Sequence, residues 1–243
     1  MVVLNRRVQC MQKTTPQLTL GFSLKDEATF DNFFPGDNAL IVAGLKKIAT
    51  GLGENIIYLS GTRGQGCTHL LQAVCHEAHL HHLSSVYLPL SSLHTYSPEL
   101  LNGLESLALI CIDDLHVIAG NAAWEEAIFH LYNRTMDAGG RMIVAANVLP
   151  KLIAIKLPDL VSRLSSGIVF QIQPLADDEK LSALKMRAHG RGISLSDEVG
   201  RYLLNHCPRH MSTLFAALDA LDKASLAAQR RLTIPFVKEV LEI

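Results

Sequence analysis

The segment at residues 61–68 has the spacing of a phosphate-binding loop but lacks the lysine of that loop. Its sequence follows the pattern Gly-x4-Gly-Lys-Thr except that Cys67 stands at the lysine position. In such a loop backbone amides surround a β-phosphate, the threonine hydroxyl binds Mg²⁺, and the lysine bridges the β- and γ-phosphates. A neutral thiol cannot replace that cation, so the segment predicts nucleotide binding without efficient turnover. The nucleotide-binding residues predicted here are Gly61, Gly64, Gly66, Cys67 and Thr68.

Two carboxylates follow a second apolar segment. Residues 107–112 are apolar without interruption, and Asp113 and Asp114 come next. Such a run is typical of a strand buried on both faces of a parallel sheet, and its carboxyl end points into the ligand crevice. One carboxylate can hold Mg²⁺ through water while the other polarises an attacking water. A core strand with a polar turn is the alternative, but together with the loop the pair favours a nucleotide-binding α/β domain in which Thr68 and Asp113 bind the metal.

The composition fits a globular protein and argues against several other classes. The chain has 243 residues, 49% hydrophobic and 19% charged, with a formal net charge of −1. That length predicts one large and one small unit, and the near-neutral charge argues against a mainly electrostatic nucleic-acid binder. Five cysteines without a Cys-x-x-Cys argue against a disulfide framework or a zinc knuckle. No apolar run reaches the ~18–20 residues that span a bilayer, and there is no signal peptide, so we expect a cytoplasmic protein without membrane contact.

Strand and helix patterns alternate up to Pro174, and only helical patterns follow it. Apolar runs predict strands at residues 56–60, 85–90, 107–112, 141–146 and 167–173. Helical spacing predicts helices at residues 37–50, with Asp37 or Asn38 as N-cap, and at 68–81, 122–138, 177–190, 196–206, 211–228 and from Thr233. The alternation implies a mostly parallel sheet flanked by helices, followed by a small all-helical lid. A ligand would lie between the two units.

This architecture resembles the AAA+ family. Residues 29–33 are similar to the segment before the first helix of bacterial DnaA initiators, where it approaches the base. Three further segments look like those of the Hda-type regulators, a family of DnaA homologues: residues 124–134, 157–164 and 230–239. The similarity extends from Gln17 nearly to the end of the chain. The resemblance implies a flexible tail at residues 1–24, an AAA+ α/β domain at 25–175 and a helical lid at 176–243.

The resemblance also assigns roles near the γ-phosphate. Arg163 matches the arginine finger, which reaches the nucleotide of a neighbouring protomer; its rigid, permanently charged fork suits the charge that develops there. Asn147 occupies the sensor-1 position, where an aspartate is more usual. The sensor-2 arginine of the family is replaced by Ser212, although Arg209, one turn earlier, is a candidate substitute.

The two missing cations should weaken nucleotide binding. Each lost charge-assisted contact forfeits ~1.5–3 kcal/mol, so together they lower affinity about a thousandfold or more. Backbone amides and the helix N-terminus remain, so weak binding of ADP or another nucleotide with Mg²⁺ is still expected. Cys67 itself has two interpretations: simple loss of the lysine, or a redox-sensitive thiol, because a helix N-terminus lowers a thiol pKa.

A short motif precedes the first domain. Residues 17–22 are similar to the Gln-Leu-x-Leu-x-Phe peptides that dock on the bacterial sliding clamp. An extended peptide can place alternate apolar side chains in a surface groove, although a short edge strand would have the same composition. The clamp-binding residues implied are Gln17, Leu18, Leu20 and Phe22.

The residues and the family resemblance together leave two hypotheses for the function. In the first, the protein is a negative regulator of replication initiation: it binds the DNA-loaded sliding clamp of DNA polymerase III and stimulates hydrolysis of DnaA-bound ATP through Arg163 in trans, without being an ATPase itself. In the second, it is an autonomous AAA+ ATPase, such as a loader or remodeller. Its partners in the first case are the initiator and the clamp, with DNA contacted only indirectly, and a homo-oligomer is compatible with either. Direct DNA-binding initiation is disfavoured because no helix-turn-helix follows the lid.

Overall fold

Apolar runs form a five-stranded parallel sheet in the computed structural model, which describes residues 28–242. The order across the sheet is β2-β3-β4-β1-β5, and every neighbouring pair is parallel. The strands are β1 (Ile56–Ser60), β2 (Ser85–Pro89), β3 (Leu109–Asp113), β4 (Arg141–Ala146) and β5 (Ile168–Gln171). Since successive side chains of a strand point to opposite faces, the all-apolar central strands feed two cores. In β3, for example, Cys111 lies in one core and Ile110 and Ile112 in the other.

Helices cover both faces of this sheet. On one face the helices are α1 (Ala39–Ala49) and α2 (Cys67–Leu80), and on the other they are α3 (Leu90–Leu93), α4 (Ala122–Asp137) and α5 (Pro158–Ser165). The predicted glycine end of α4 is present: Gly139 takes a left-handed φ of 74° just after the helix.

A third core belongs to the helical unit that follows. It consists of α6 (Asp177–Gly190), α7 (Asp197–His206), α8 (Met211–Ala228) and α9 (Ile234–Leu241). Their buried side chains are mostly leucines, with Phe236 and Val237 from the last helix. The predicted fold class, a parallel sheet flanked by helices with a small helical lid, is therefore confirmed.

Several predicted boundaries were wrong by one or two residues, and the backbone bonding explains why. Strand β3 begins at Leu109 rather than at 107, because the chain first makes a short 3-10 helix at Leu104–Ser106. Helix α2 already begins at Cys67. The predicted helix at 37–50 is a 3-10 turn at Gly36–Asn38 followed by α1.

Asn38 holds the predicted N-cap position of α1, but its side chain does not cap the helix and bonds instead to the segment that follows β5. Its Nδ2 donates to the Gln173 carbonyl at 3.1 Å, and its Oδ1 accepts from the Gln173 N–H at 2.7 Å. The same Nδ2 lies 3.1 Å from the Pro35 carbonyl. Strand β5 ends at Gln171 instead of at 173 because its partner β1 ends opposite it at Ser60, and residue 173 bonds to Asn38 instead.

Candidate functional site

Three strands end at the same edge of the sheet and bring the predicted nucleotide residues together. The phosphate loop follows β1, Asp113 is the last residue of β3, and Asn147 follows β4. Gly66 closes the loop as the N-cap of α2, with a left-handed φ of 100°. A Cβ at this position would lie 2.7 Å from the ring of Phe33, so only glycine lets that ring pack on the loop. The N-terminal amides of α2 therefore face the crevice, where they can bind an anion.

Asp113 is the most constrained acid of the crevice. It is only 2% exposed. Its Oδ2 accepts from the Thr68 hydroxyl at 2.7 Å and from the Tyr87 hydroxyl at 2.8 Å, and its Oδ1 accepts from the Asp114 N–H at 2.9 Å. Burial raises the pKa of Asp113, the Thr68 bond partly offsets that shift, and the charge of Asp114 adds to it. Thr68 and Asp113 thus form a ready-made pair of hard oxygens, the donor set that Mg²⁺ prefers.

Asp114 and Tyr87 complete the acidic part of the site. Asp114 has a left-handed φ of 57°, an uncommon conformation for a residue other than glycine. Tyr87, on β2, was not predicted from the sequence, because β2 carries no motif and the contact forms only when β2 pairs with β3. Burial, followed by the charge of Asp113, raises the pKa of the Tyr87 hydroxyl, which therefore stays a donor.

Cys67 lies half-buried at the base of the loop, between the inner cavity and the core. Its Sγ lies 3.8 Å from the Gly61 carbonyl, and the side chain packs against the core under α2. Burial raises the pKa of the Cys67 thiol to about 12, and the carboxylates of Asp113 and Asp114 contribute to that shift. Burial therefore outweighs the effect of the helix N-terminus. This geometry argues against a redox-sensitive thiolate and leaves loss of the lysine as the interpretation of Cys67.

Two adjoining cavities surround the phosphate loop. The outer cavity, of about 370 Å³, is lined by Phe33, Asn38, Gln173, Arg209 and neighbouring residues of the loop and lid. Its mixture of aromatic rings, amides and cations can accept a flat heterocycle. The inner cavity, of about 1050 Å³, is lined by the loop, Asp113, Asp114, Asn147 and the lid. Its amides and carboxylates can accept phosphates with a divalent cation.

The lid gives each cavity one arginine. Arg209, the candidate substitute for the missing sensor-2 arginine, lines the outer cavity and pairs with Asp177 at 3.0 Å. Arg187 lines the inner cavity instead, where it lies 4.7 Å from the Phe215 ring centroid and 3.7 Å from Asp219. The inner cavity is therefore lined by two arginines, Arg63 of the loop and Arg187 of α6, and the sequence carries no motif at the second.

Arg163 lies apart from this crevice, on the exposed side of α5. Leu160 and Leu164 of the same helix are completely buried, whereas Arg163 is exposed. Among residues 28–242 its guanidinium has no hydrogen-bond or ion-pair partner. An unpaired guanidinium on a short helix with a buried opposite face can be presented to another molecule.

The remaining predicted site falls outside the described residues. The predicted clamp-binding residues all precede residue 28, and they are Gln17, Leu18, Leu20 and Phe22. The clamp-binding assignment therefore stays a prediction. Within residues 28–242 no helix combines the length and apolar character needed to cross a membrane.

Family comparisons identify the sheet domain. The profile of the bacterial DnaA ATPase domain matches residues 24–171, more than half of the chain. The chain belongs to the bacterial DnaA family. The profile of the Hda lid domain matches residues 177–241. With a DnaA-type ATPase domain and an Hda-type lid, the chain is an Hda-type homologue of DnaA, which confirms the resemblance inferred from the sequence.

Solved structures of DnaA have the same fold. Domain III of the Thermotoga maritima replication initiation protein DnaA aligns with a TM-score of 0.81 at 20% identity, over 91% of this chain and 98% of that one. AMPPCP-bound DnaA from Aquifex aeolicus aligns with a TM-score of 0.71 at 26% identity, over 83% of this chain and 67% of that one. The Thermotoga maritima RuvB branch migration motor aligns with a TM-score of 0.69 at 16% identity, over 88% and 71%, and shares the fold alone.

Proposed function

We propose that this DnaA homologue is a negative regulator of replication initiation that stimulates ATP hydrolysis on the initiator instead of hydrolysing ATP itself. The observation that carries the proposal is the contrast between the phosphate loop, which lacks its lysine, and the arginine at the finger position, which is present and exposed. Its own phosphate loop has a half-buried thiol with a raised pKa, and therefore a neutral one, at the lysine position. Arg163, by contrast, is exposed on a helix whose two leucines are completely buried in the core.

Arg163 is suited to act in trans. A guanidinium keeps its charge at any physiological pH and offers a planar fork of donors to the oxygens of a γ-phosphate. An arginine supplied in this way accelerates phosphoryl transfer by ~10³–10⁵ in GTPases. The proposed acceptor is the ATP site of the initiator, which would become ADP-bound and inactive.

A resident nucleotide has a structural rather than catalytic role in this proposal. The outer cavity would take the base, and the amides of α2 with Thr68 and Asp113 would hold phosphates and Mg²⁺. Such a ligand would bridge the sheet and the lid, because both line the cavities. ADP of low affinity is the proposed cofactor, consistent with AMPPCP in the structure of the Aquifex aeolicus relative.

Tethering would make a weak contact with the initiator sufficient. We place the tether at Gln17, Leu18, Leu20 and Phe22, docked on the sliding clamp of DNA polymerase III. A regulator bound to a clamp on DNA has a high effective concentration near an initiator on the same DNA. Contact with DNA itself is then indirect.

The decisive experiment mixes the protein with clamp-loaded DNA and ATP-bound initiator and follows conversion of bound ATP to ADP. Arg163→Ala should lower the stimulated rate by most of the ~10³–10⁵ factor, and Arg163→Lys should also fail because a point charge lacks the planar fork. The matched control is Arg201→Ala, which removes an exposed arginine of the lid that pairs with Asp178. Full stimulation by Arg163→Ala would show that the catalytic contact lies elsewhere.

A further inference from the structure

Glu125 is a buried carboxylate that the nucleotide site does not use. It lies in the first turn of α4, where a glutamate normally faces solvent and favours the helix dipole. Here it is only 2% exposed. A buried carboxylate is costly unless it is fully hydrogen-bonded, so its partners indicate what it is for.

The partners of Glu125 are backbone amides from two loops. Its Oε2 accepts from the Lys156 N–H and the Leu157 N–H, both at 3.0 Å. Its Oε1 accepts from the Gly120 N–H at 2.6 Å and more weakly from Lys156 at 3.2 Å. Charge-assisted bonds to amides are roughly twice as strong as neutral ones. The carboxylate therefore fixes the segment at residues 156–157 against the start of α4.

That segment is the entry to α5, the helix that carries Arg163. Leu157 is the N-cap of α5 and offers no capping side chain, and Pro158 follows at the first turn. A helix of eight residues is not stable by itself, so its orientation comes from the contacts of its ends and its buried face. Glu125 supplies the contact at the N-terminal end.

Helix α4 also holds the other end of α5. Tyr132 lies two turns after Glu125, and its hydroxyl is 3.3 Å from Ser166 Oγ. Ser166 Oγ in turn donates to the Arg163 carbonyl at 2.7 Å. Residues seven apart share one face of a helix, so one face of α4 carries a polar contact to each end of α5.

We propose that Glu125 is a positioning residue that sets the placement of Arg163; this inference rests on the function proposed above. Glu125 touches neither substrate nor nucleotide and acts through the backbone of residues 156–157. Because Arg163 lies on α5, the position of its guanidinium on the protein surface depends on where that helix begins. A displacement of about 1 Å in a catalytic group can lower a rate about 10²-fold.

The test compares Glu125→Gln with Glu126→Gln. Glu125→Gln keeps the shape of the side chain but removes its charge. It also replaces one carboxylate oxygen by an amide NH₂ donor, which cannot accept from the backbone N–H groups that this oxygen binds. Glu126 is the exposed neighbour on the same turn and serves as the matched control. We expect Glu125→Gln to lower the maximal stimulated rate of ATP hydrolysis about 10–100-fold. The regulator concentration for half-maximal stimulation should not change, because docking does not use Glu125.

A double-mutant cycle separates positioning from a general structural role. If Glu125 acts through Arg163, adding Glu125→Gln to Arg163→Ala produces no further loss of rate. A further loss of rate when Glu125→Gln is added to Arg163→Ala overturns this inference alone. Equal rates for Glu125→Gln and Glu126→Gln have the same consequence, provided that Arg163→Ala is inactive. Full activity of Arg163→Ala overturns the proposed function and this inference together.

Hydrogen exchange gives a readout that needs no initiator. The amides of Lys156 and Leu157 should exchange faster in Glu125→Gln than in Glu126→Gln, while the amides of β3 and β4 stay unchanged. If the glutamine variant does not fold, Glu125→Asp replaces it: the charge stays, but the shorter side chain cannot reach both loops. Unchanged exchange at residues 156–157 in the folded variant contradicts the proposal.

Discussion

Restoring the missing lysine tests how much of the nucleotide site is still functional. The perturbation is Cys67→Lys, with Cys67→Ser as a neutral control of nearly the same size as the thiol. A new charge-assisted contact with phosphate is worth ~1.5–3 kcal/mol, which corresponds to about 10–150-fold in affinity. The thiol lies near the Gly61 carbonyl and already lines the inner cavity, so the longer side chain has to extend further into that cavity.

The carboxylates of the site reduce the expected gain. Cys67 lies close enough to Asp113 and Asp114 for their charges to raise its pKa. An ammonium group at residue 67 would pair with Asp113 in the nucleotide-free protein, and that pair must be broken or shared when phosphate binds. We therefore expect a gain near the lower end of the range, about tenfold.

Calorimetric titration of both variants with ATP and ADP in the presence of Mg²⁺ measures this gain. ATP should benefit more than ADP, because the lysine of a phosphate loop bridges the β- and γ-phosphates. Steady-state phosphate release should stay far below ~1 s⁻¹ in both variants and in the parent protein, since Ser212 still occupies the position of the second cation. Equal ATP affinities of the lysine and serine variants would refute this reasoning, and so would turnover near ~1 s⁻¹ by the parent protein.

Two further predictions concern other parts of the chain. Replacing Gln17, Leu20 and Phe22 together by alanine should abolish co-precipitation with the sliding clamp without changing the melting temperature; retention of clamp binding would show that the motif is misassigned. Asp113→Asn should weaken nucleotide binding yet stabilise the nucleotide-free protein at pH 7. Burial raises the pKa of Asp113, so its ionised form costs stability above the folded-state pKa. We therefore expect the melting temperature of the Asp113→Asn variant at pH 7 to be higher than that of the parent protein. That difference should disappear as the pH falls below the unfolded-state pKa of about 3.9, where the carboxyl is protonated in both states, and a constant difference from pH 7 down to that range would contradict the assignment.

Local pattern was sufficient to predict most of the fold. Continuous apolar runs such as β3 indicate strands with two buried faces, and the polar residues that follow them must meet at one edge of a parallel sheet. Thr68 and Asp113 could therefore be paired from the sequence, and they lie 2.7 Å apart. The order of the strands could not be derived in this way, because it depends on which apolar faces pack together.

The residues that were missed act through contacts between distant segments. In the sequence Glu125 is an ordinary acid in the first turn of a helix, and nothing local indicates that residues 156–157 will lie over it. Tyr87 and Arg187 likewise gain their roles only when β2 pairs with β3 and when the lid closes on the loop. Asp37 or Asn38 was predicted as the N-cap of the first helix because these types favour that position. Asn38 does stand there, but its side chain bonds to residue 173 and to the Pro35 carbonyl instead of capping the helix.

The Asn38–Gln173 pair has a consequence for how the protein can bend. Because two reciprocal hydrogen bonds anchor residue 173 to the segment before α1, rotation of the lid has to be absorbed by residues 174–176 alone. Pro174 removes one of the torsional freedoms of that short connection. Asn38 and Pro174 also line the outer cavity. The short connection between the two units and the wall against which a base would rest therefore share the same residues, so a base in the outer cavity would contact the segment from which any lid movement has to start.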